Sequence, residues 1–280
     1  YAYLHGRELR RVILATNNDA AYIQFWPIVA PLWQKMGLRP TLALIADESC
    51  QVDTTLGDVI RFEPLPGVSE ALQAQTIRLL LPALFPDDGC LISDIDMLPI
   101  NRAYYIDGAK NISEDSFLIY TNSTSSEVEK KYPMCYFAAK GALFQAVFGV
   151  STHHQIQRLI QRWAELGYGW STDEMLLYES VNKWESAAGK VVRLGLGSPA
   201  RIDRLIWIWQ MRALDVGLYV DCHCPRPYFT YKQSIDKVVE EINKQWEQQD
   251  RPACSFCLSL FWSEDKNRLI GRCLYSTITI

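Results

Sequence analysis

The alternation of continuous apolar runs with helical patterns is the feature that most constrains the fold of this 280-residue chain. Runs that are apolar throughout are typical of strands covered on both faces, as in parallel sheets. The segments between them have the apolar spacing of amphipathic helices. This order predicts an α/β fold with a mixed, mainly parallel sheet flanked by helices. In the first hundred residues the predicted strands are 10–16, 40–46, 57–62 and 89–95, and the predicted helices are 20–37 and 69–85.

The second half of the chain adds further elements and ends in a different pattern. The predicted domain organisation is one large domain, 1–252, with a small β-rich C-terminal extension, 253–280, packed on it. The predicted strands of this half are 116–121, 134–140 and 217–223, and the predicted helices are 152–167, 171–184 and 234–249.

Composition and charge exclude several classes of function. The net charge is -4 and there is no polybasic run, which disfavours a general affinity for nucleic acid. No apolar stretch approaches the ~20 residues that a membrane-spanning helix needs. Eight cysteines are too few for a disulfide scaffold in a chain of this length. We therefore expect a cytoplasmic protein, and a Golgi-type lumen stays open if an anchoring segment precedes Tyr1.

Two aspartates interrupt the apolar run "CLISDIDMLPI" at residues 90–100. Burying carboxylates in an apolar environment costs free energy unless a partner compensates them. Residues i and i+2 of an extended segment point to the same side, so Asp94 and Asp96 can converge on one point. Ligands of open α/β sheets bind beyond the carboxyl ends of the strands. Paired carboxylates there suit Mg²⁺ or Mn²⁺, although a turn-capping Asp with a solvated partner is the alternative.

The surrounding segments resemble a known family. The stretches "VILATNNDAAYIQFWPIVAPLW" and "AQTIRLLLPALFPDDGCLISDIDMLPI" are similar to the GT-A-fold nucleotide-sugar glycosyltransferases with a D-x-D motif. Their layout is closest to glycosyltransferase family 8, and the likeness covers residues 10–100. The resemblance implies a GT-A (Rossmann-like) fold and a metal-dependent hexosyl- or pentosyltransferase. A sugar would pass from a nucleoside-diphosphate sugar, with UDP favoured, to a glycan or glycoconjugate hydroxyl, with retention in the nearest layout.

The same resemblance assigns donor-binding residues in the first half of the chain. Thr16, Asn17 and Asn18 occupy the loop that holds the base and ribose in the family, where a plain polar turn is the alternative. Arg78 occupies the helix position that reaches the donor sugar and phosphates, and a surface arginine is the alternative there.

Metal binding is assigned by the resemblance to three residues. Asp94 would lie near the ribose and the metal, and Asp96 would bind the metal, Mn²⁺ or Mg²⁺. The family's third ligand is a late histidine followed by a basic residue on the diphosphate. In "YVDCHCPRPY" the counterparts are His223 and Arg226, although the segment lacks the family's Gly- and Lys-containing pattern. A histidine packed at a strand end is the alternative.

Two further segments are implied on the sugar and acceptor side. "WSTDEMLLY" resembles the acidic acceptor-side motif, so Asp173 or Glu174 would face the sugar and the acceptor hydroxyl, with Asp173 favoured as catalytic. Acidic residues in the first turn of a helix also complement its dipole, which is the alternative. Gly141, in a segment of small residues, would let the backbone approach the donor.

Three other interpretations compete with glycosyl transfer. A Mg²⁺- or Mn²⁺-dependent nucleotidyltransferase typically carries a Gly-rich phosphate loop, which "LATNNDAAY" lacks, and a phosphatase needs a nucleophilic Asp that Asp19 is poorly placed to supply. A non-catalytic sugar-nucleotide-binding protein of the same fold is the second. A zinc module is the third, and the adjacent ligands of "CHC" fit it poorly, because structural zinc sites use two spaced pairs. The zinc candidates are Cys222, His223, Cys224, Cys254 and Cys257.

Overall fold

The strands in the described part of the chain form three separate sheets. The computed structural model describes residues 8–121, 128–194, 200–215 and 217–249, together with the backbone of 259–263, 268–273 and 276–279. The strands are β1 (Leu9–Asn17), β2 (Arg39–Ile45), β3 (Asp58–Phe62), β4 (Gly89–Ile92), β5 (Met97–Pro99), β6 (Ser116–Ile119), β7 (Phe137–Lys140), β8 (Lys190–Arg193), β9 (Arg201–Ile202), β10 (Asp221–His223), β11 (Ser259–Ser263), β12 (Arg268–Cys273) and β13 (Ser276–Thr279).

The main sheet has seven strands in the order β3-β2-β1-β4-β7-β6-β8. The four strands from β3 to β4 run parallel, with Ile13 opposite Thr41 on one side and Ile92 on the other. β7 is antiparallel to both of its neighbours, and β8 runs parallel to β6. The predicted mixed, mainly parallel sheet is therefore confirmed. A second sheet, β5-β10-β9, brings the segments after residue 200 next to the segment after β4.

Helices cover the sheet, and most begin or end at the residues that the sequence indicates. Ser69 and Thr152 accept hydrogen bonds from backbone N–H groups of the first turn of their helices, as N-cap residues do. The helices are α1 (Ala20–Ile23), α2 (Trp26–Lys35), α3 (Glu70–Leu80), α4 (Gly108–Lys110), α5 (Gly141–Phe148), α6 (His153–Ala164), α7 (Thr172–Ser186), α8 (Met211–Asp215) and α9 (Tyr228–Gln249).

Prolines divide two of the predicted helices. The helix predicted at 20–37 is split into α1 and α2, and Pro27 stands in the first turn of α2. The helix predicted at 69–85 ends at Leu80 and continues as a 3₁₀ turn that contains Pro82. Proline has no N–H to donate and clashes with the preceding turn, which disfavours an uninterrupted helix at both places, although α2 accommodates Pro31 in its interior.

The main core lies between the sheet and the helices α3, α5, α6 and α7. Parallel strands supply fully buried residues such as Ile13 and Ile92, and α3 supplies Ile77 and Leu80. Burial of each such side chain stabilises the fold by about 1.5–3 kcal/mol. This core fixes the position of α3 over β1, and therefore the position of the polar residues at the ends of both.

The chain divides into two compact units, residues 1–235 and 236–280. The second unit contains the antiparallel sheet β11-β12-β13, which agrees with a β-rich C-terminal pattern. The domain division at residue 252 stays a prediction. Among the described residues, no helix is both long and apolar enough to cross a lipid bilayer.

Candidate active site

A cavity of about 430 Å³ lies where the strands β1 and β4 end. Because these strands are parallel neighbours, the residues that follow them emerge at the same edge of the sheet. The cavity is lined by eight of the ten residues predicted for the site: Thr16, Asn17, Arg78, Asp94, Asp96, Asp173, His223 and Arg226.

The other two predicted residues lie elsewhere. Asn18 lines a neighbouring cavity beside Trp26. Gly141 packs at the start of α5, where a β-carbon would collide with the carbonyl oxygens of Pro82 and Phe85. This close approach of two backbone segments explains the glycine without a ligand. The donor-binding role of each residue stays a prediction.

The aspartate pair does not lie in an extended strand. β4 ends at Ile92, and Asp94 and Asp96 lie in a turn in which Met97 N–H donates to the Asp94 carbonyl at 3.3 Å. The alternation rule that predicted convergence therefore does not apply to them. The two side chains form ion pairs with different arginines. We call the groups around Asp94 the acid-rich cluster (Arg78, Asp94, Asp173, Glu174). We call the groups around Asp96, together with the separate Arg201–Asp221 pair whose arginine lines the same cavity, the arginine-rich cluster (Asp96, Arg201, Arg204, Asp221, Arg226).

Arg78 is the centre of the acid-rich cluster. It lies in the last turn of α3 and its guanidinium forms ion pairs with Asp94 and, at 2.6 Å, with Asp173 Oδ2. Only 12% of the Arg78 side chain and 3% of the Asp173 side chain are exposed. A single arginine therefore joins the end of β4 to the start of α7, two segments that are distant in sequence.

A neutral thiol completes the bonding of Asp94. The Cys135 Sγ donates to Asp94 Oδ2 at 2.8 Å. Burial raises the pKa of Cys135 to about 12, so the thiol keeps its proton at neutral pH. Both oxygens of Asp94 are thus engaged, one by Arg78 and one by Cys135.

Asp173 and Glu174 differ in how their carboxylates are used. The Asp173 oxygens accept from Arg78 and from the Glu174 backbone N–H at 2.9 Å. Glu174 also lines the cavity, and its pKa is raised, first by burial and then by the neighbouring Asp173 charge. A carboxylate with a raised pKa is suited to accept a proton during a reaction.

Asp96 is the centre of the arginine-rich cluster. Its Oδ2 lies 3.2 Å from Arg204 Nη1, 3.3 Å from Arg226 Nε and 3.5 Å from His223 Nε2. The Asp96 side chain is only 5% exposed, so positively charged groups rather than water compensate it. Arg226 also lies over the ring of Tyr22, at 4.3 Å from the ring centre.

Arg201 lines the cavity and is held in position by Asp221 and Tyr136. Its Nη2 donates to Asp221 Oδ2 at 2.8 Å, and the Tyr136 hydroxyl donates to the same oxygen at 2.9 Å. Asp221 is fully buried, and burial raises its pKa although Arg201 opposes the shift. Among the described residues, no ion pair links this network to the acid-rich cluster.

The predicted metal ligands do not fit a divalent cation as they are arranged. The described residues contain no group of three His, Cys, Asp or Glu side chains that could hold a metal ion. Asp94 is engaged by Arg78 and Cys135, which leaves Asp96 and His223 as the remaining pair. The zinc interpretation fails the same test for Cys222, His223 and Cys224, while Cys254 and Cys257 lie outside the described residues. The requirement for Mn²⁺ or Mg²⁺ stays a prediction.

Sequence reasoning missed several residues of the cavity. Arg201 and Arg204 line it, although no motif marks these two arginines in the sequence. Arg204 meets Asp96 across 108 residues of sequence, so no local pattern predicts the contact. Trp170 lines the cavity with 68% of its surface exposed. An aromatic residue just before the acidic pair 173–174 was the available signal for it.

The chain was compared with known proteins. No protein-family profile and no curated protein sequence matches it. Among solved structures it is similar to the galactosyltransferase LgtC in complex with donor and acceptor sugar analogues, with 10% identity over 87% of this chain and 98% of that chain and a TM-score of 0.45. It is similar to the glycosyltransferase GlyE of Streptococcus pneumoniae TIGR4, with 11% identity over 91% of this chain and 70% of that chain and a TM-score of 0.47. The bifunctional glycosyltransferase WbbM gives 9% identity, 85% and 51% coverage and a TM-score of 0.38. These structural neighbours are glycosyltransferases, and the likeness is too remote to assign function.

Proposed function

We propose that this protein transfers a sugar from a nucleoside-diphosphate sugar to a hydroxyl acceptor. The observation that carries the proposal is the gathering of Arg78, Asp94, Asp96, Asp173, His223 and Arg226 in one cavity at the carboxyl edge of a mainly parallel sheet. The family resemblance assigned these residues from the sequence, and they come from segments up to 148 residues apart in the chain. The proposal has four finer parts. The fold is GT-A, the donor is a UDP-sugar, the acceptor is a glycan or glycoconjugate, and the configuration of the anomeric carbon is retained.

The charges of the cavity suit the reaction. The bond between the anomeric carbon and the phosphate oxygen breaks, and its electron pair leaves with the diphosphate. Arginine side chains that the fold already holds in position before the reaction stabilise this negative charge as it develops. The transition state of glycosyl transfer has oxocarbenium character, and carboxylates near the anomeric carbon stabilise its positive charge. The arginine-rich and acid-rich clusters supply these two kinds of group.

The acceptor oxygen bonds to the anomeric carbon and its proton must be removed. Both oxygens of Asp173 already accept hydrogen bonds, one from Arg78 and one from a backbone N–H. We therefore assign the role of the base that accepts this proton to Glu174, whose pKa is raised by burial. Trp170, four residues before Glu174, has an exposed ring. An aromatic ring of this kind can pack against the apolar face of an acceptor sugar.

The test is release of nucleoside diphosphate and transfer of labelled sugar, assayed with a panel of UDP-, GDP- and dTDP-sugars and simple glycoside acceptors. We expect turnover with at least one donor, and we expect Glu174→Gln to reduce it roughly 10²–10⁴-fold with the donor still bound. Glu179→Gln, further along α7, is the matched control and should keep wild-type activity.

Two outcomes would contradict the proposal in different ways. Binding of a sugar nucleotide without turnover would favour the non-catalytic sugar-nucleotide-binding protein. Absence of both binding and turnover across the panel, with and without Mn²⁺, would reject the nucleotide-sugar site altogether.

A further inference from the structure

Two arginines and a histidine occupy the side of Asp96 where a metal ligand needs open space. Arg204, Arg226 and His223 all approach the same oxygen, Oδ2, within 3.5 Å. Arginine side chains keep their charge at any pH at which the protein is folded. A divalent cation at this oxygen would therefore have to displace two permanent positive charges or lie beside them.

The arginines of this cluster are fixed by other elements of the fold. Arg201 starts β9 and is held by Asp221 of β10, which is itself bonded to Tyr136. Arg226 stacks on Tyr22 of α1. Groups positioned in this way lose little conformational freedom when an anion binds, which favours binding.

The two clusters have opposite charge balances. In the arginine-rich cluster three guanidinium groups pair with the two carboxylates of Asp96 and Asp221. In the acid-rich cluster one guanidinium, that of Arg78, faces Asp94 and Asp173, with Glu174 adjacent. An anion is therefore attracted to the first cluster and repelled by the second.

We propose that the arginine-rich cluster binds the diphosphate of the donor directly, without a divalent cation. In this arrangement Asp96 is a positioning residue that orients Arg204 and Arg226, and it is not a metal ligand. Guanidinium groups form paired, charge-assisted hydrogen bonds with phosphate oxygens, which provide both the charge and the geometry that the metal was predicted to supply. The inference rests on the proposed function and refines its donor site.

The experiment measures nucleotide binding by calorimetry, a readout that does not depend on turnover. UDP, GDP and dTDP are titrated into the full chain in EDTA and again in Mn²⁺, and inorganic pyrophosphate is used as a competitor. We expect the tightest of these nucleotides to bind in EDTA, with a Kd that Mn²⁺ changes less than threefold, and pyrophosphate to displace it without metal.

Variants separate the two roles of Asp96. Arg204→Gln and Arg226→Gln should each weaken binding in EDTA by roughly tenfold or more, because each removes a charged hydrogen-bond donor. Arg212→Gln, at an exposed position of α8, is the matched control and should leave the Kd unchanged. Asp96→Asn should change the Kd by the same factor in EDTA and in Mn²⁺.

A nucleotide that binds only in Mn²⁺, with that dependence lost in Asp96→Asn, would overturn the inference and leave the proposed glycosyl transfer intact. Since the wild-type comparison of EDTA with Mn²⁺ needs no variant, an unfolded variant does not obscure this result. Absence of nucleotide binding in both conditions would reject the proposed function together with the inference.

Discussion

The acid-rich and arginine-rich clusters use the same residue types in one cavity but balance them in opposite ways. In the first, Arg78 pairs with two carboxylates, one from the segment after β4 and one from the start of α7. In the second, two carboxylates pair with three arginines: Asp96 with Arg204 and Arg226, and Asp221 with Arg201. Asp94, Asp96 and Asp173 each form an ion pair with an arginine, which avoids the large cost of burying an isolated charge.

The comparison shows that the two aspartates of the D-x-D pair belong to different ion-pair clusters. Asp94 and Asp96 are separated by one residue in sequence, but in the turn after β4 their side chains pair with different arginines, Asp94 with Arg78 and Asp96 with Arg226. The adjacent residues Cys135 and Tyr136 repeat this division: the Cys135 thiol donates to Asp94, and the Tyr136 hydroxyl donates to Asp221. One short segment therefore supports both clusters.

The largest effect is expected when the acid-rich cluster loses its only cation. Arg78→Gln leaves two mostly buried carboxylates facing each other, and we expect the free energy of unfolding to fall by about 3 kcal/mol. Chemical denaturation measures the change. Arg158→Gln, at an exposed position of α6, is the control and should stay within ~0.5 kcal/mol of the parent. An equal effect of the two substitutions would show that the cluster contributes nothing to stability.

A smaller loss is expected when the arginine-rich cluster loses its buried donor. Tyr136→Phe removes the hydroxyl that donates to the fully buried Asp221, and the loss of this donor, which leaves Arg201 bound to the same oxygen, should cost roughly 2 kcal/mol. The same denaturation experiment measures it. Tyr178→Phe, at a partly buried tyrosine of α7, is the comparison variant, and a loss at Tyr136 no larger than at Tyr178 would contradict the role assigned to this hydroxyl.

The neighbouring substitution at the acid-rich cluster should cost less. Cys135→Ala removes a thiol donor to Asp94, whose side chain is 24% exposed and also bound by Arg78. A thiol is a weak donor, and water can reach the carboxylate, so we expect about 1 kcal/mol or less. Cys135→Ser restores a donor and should recover part of the loss, whereas no difference between Ala and Ser would remove Cys135 from the network.

The smallest effect concerns pH. The pKa of Glu174 is raised in the folded chain by burial and by Asp173, so the folded state binds this proton more tightly than the unfolded state does. Its contribution to stability is present at acid pH and is lost as the pH rises through the folded pKa. Denaturation between pH 4 and pH 8 should show a fall with rising pH that is absent in Glu174→Gln. Glycosyl transfer should respond in the opposite sense, because an unprotonated Glu174 is needed as the base.

Sequence reasoning recovered the sheet and much of the site, and its failures have local causes. Apolar runs indicated the strands from β1 to β4 because burial on both faces leaves a continuous apolar pattern. The short strands β8 and β9 were missed, since four and two residues carry too little periodicity. The donor-site role of Gly141 stays a prediction, and the collision its β-carbon would make with residues 82–85 appears only when α5 is packed.

The order of apolar and polar residues by itself determined the α/β class, the parallel strands and the edge at which polar groups collect, because burial and backbone hydrogen bonding act through local patterns. Tertiary structure alone decided which charged residues form ion pairs with each other. Arg204 reaches Asp96 across 108 residues and Arg78 reaches Asp173 across 95. Ion pairing depends on distance in space, and sequence separation carries almost no information about it.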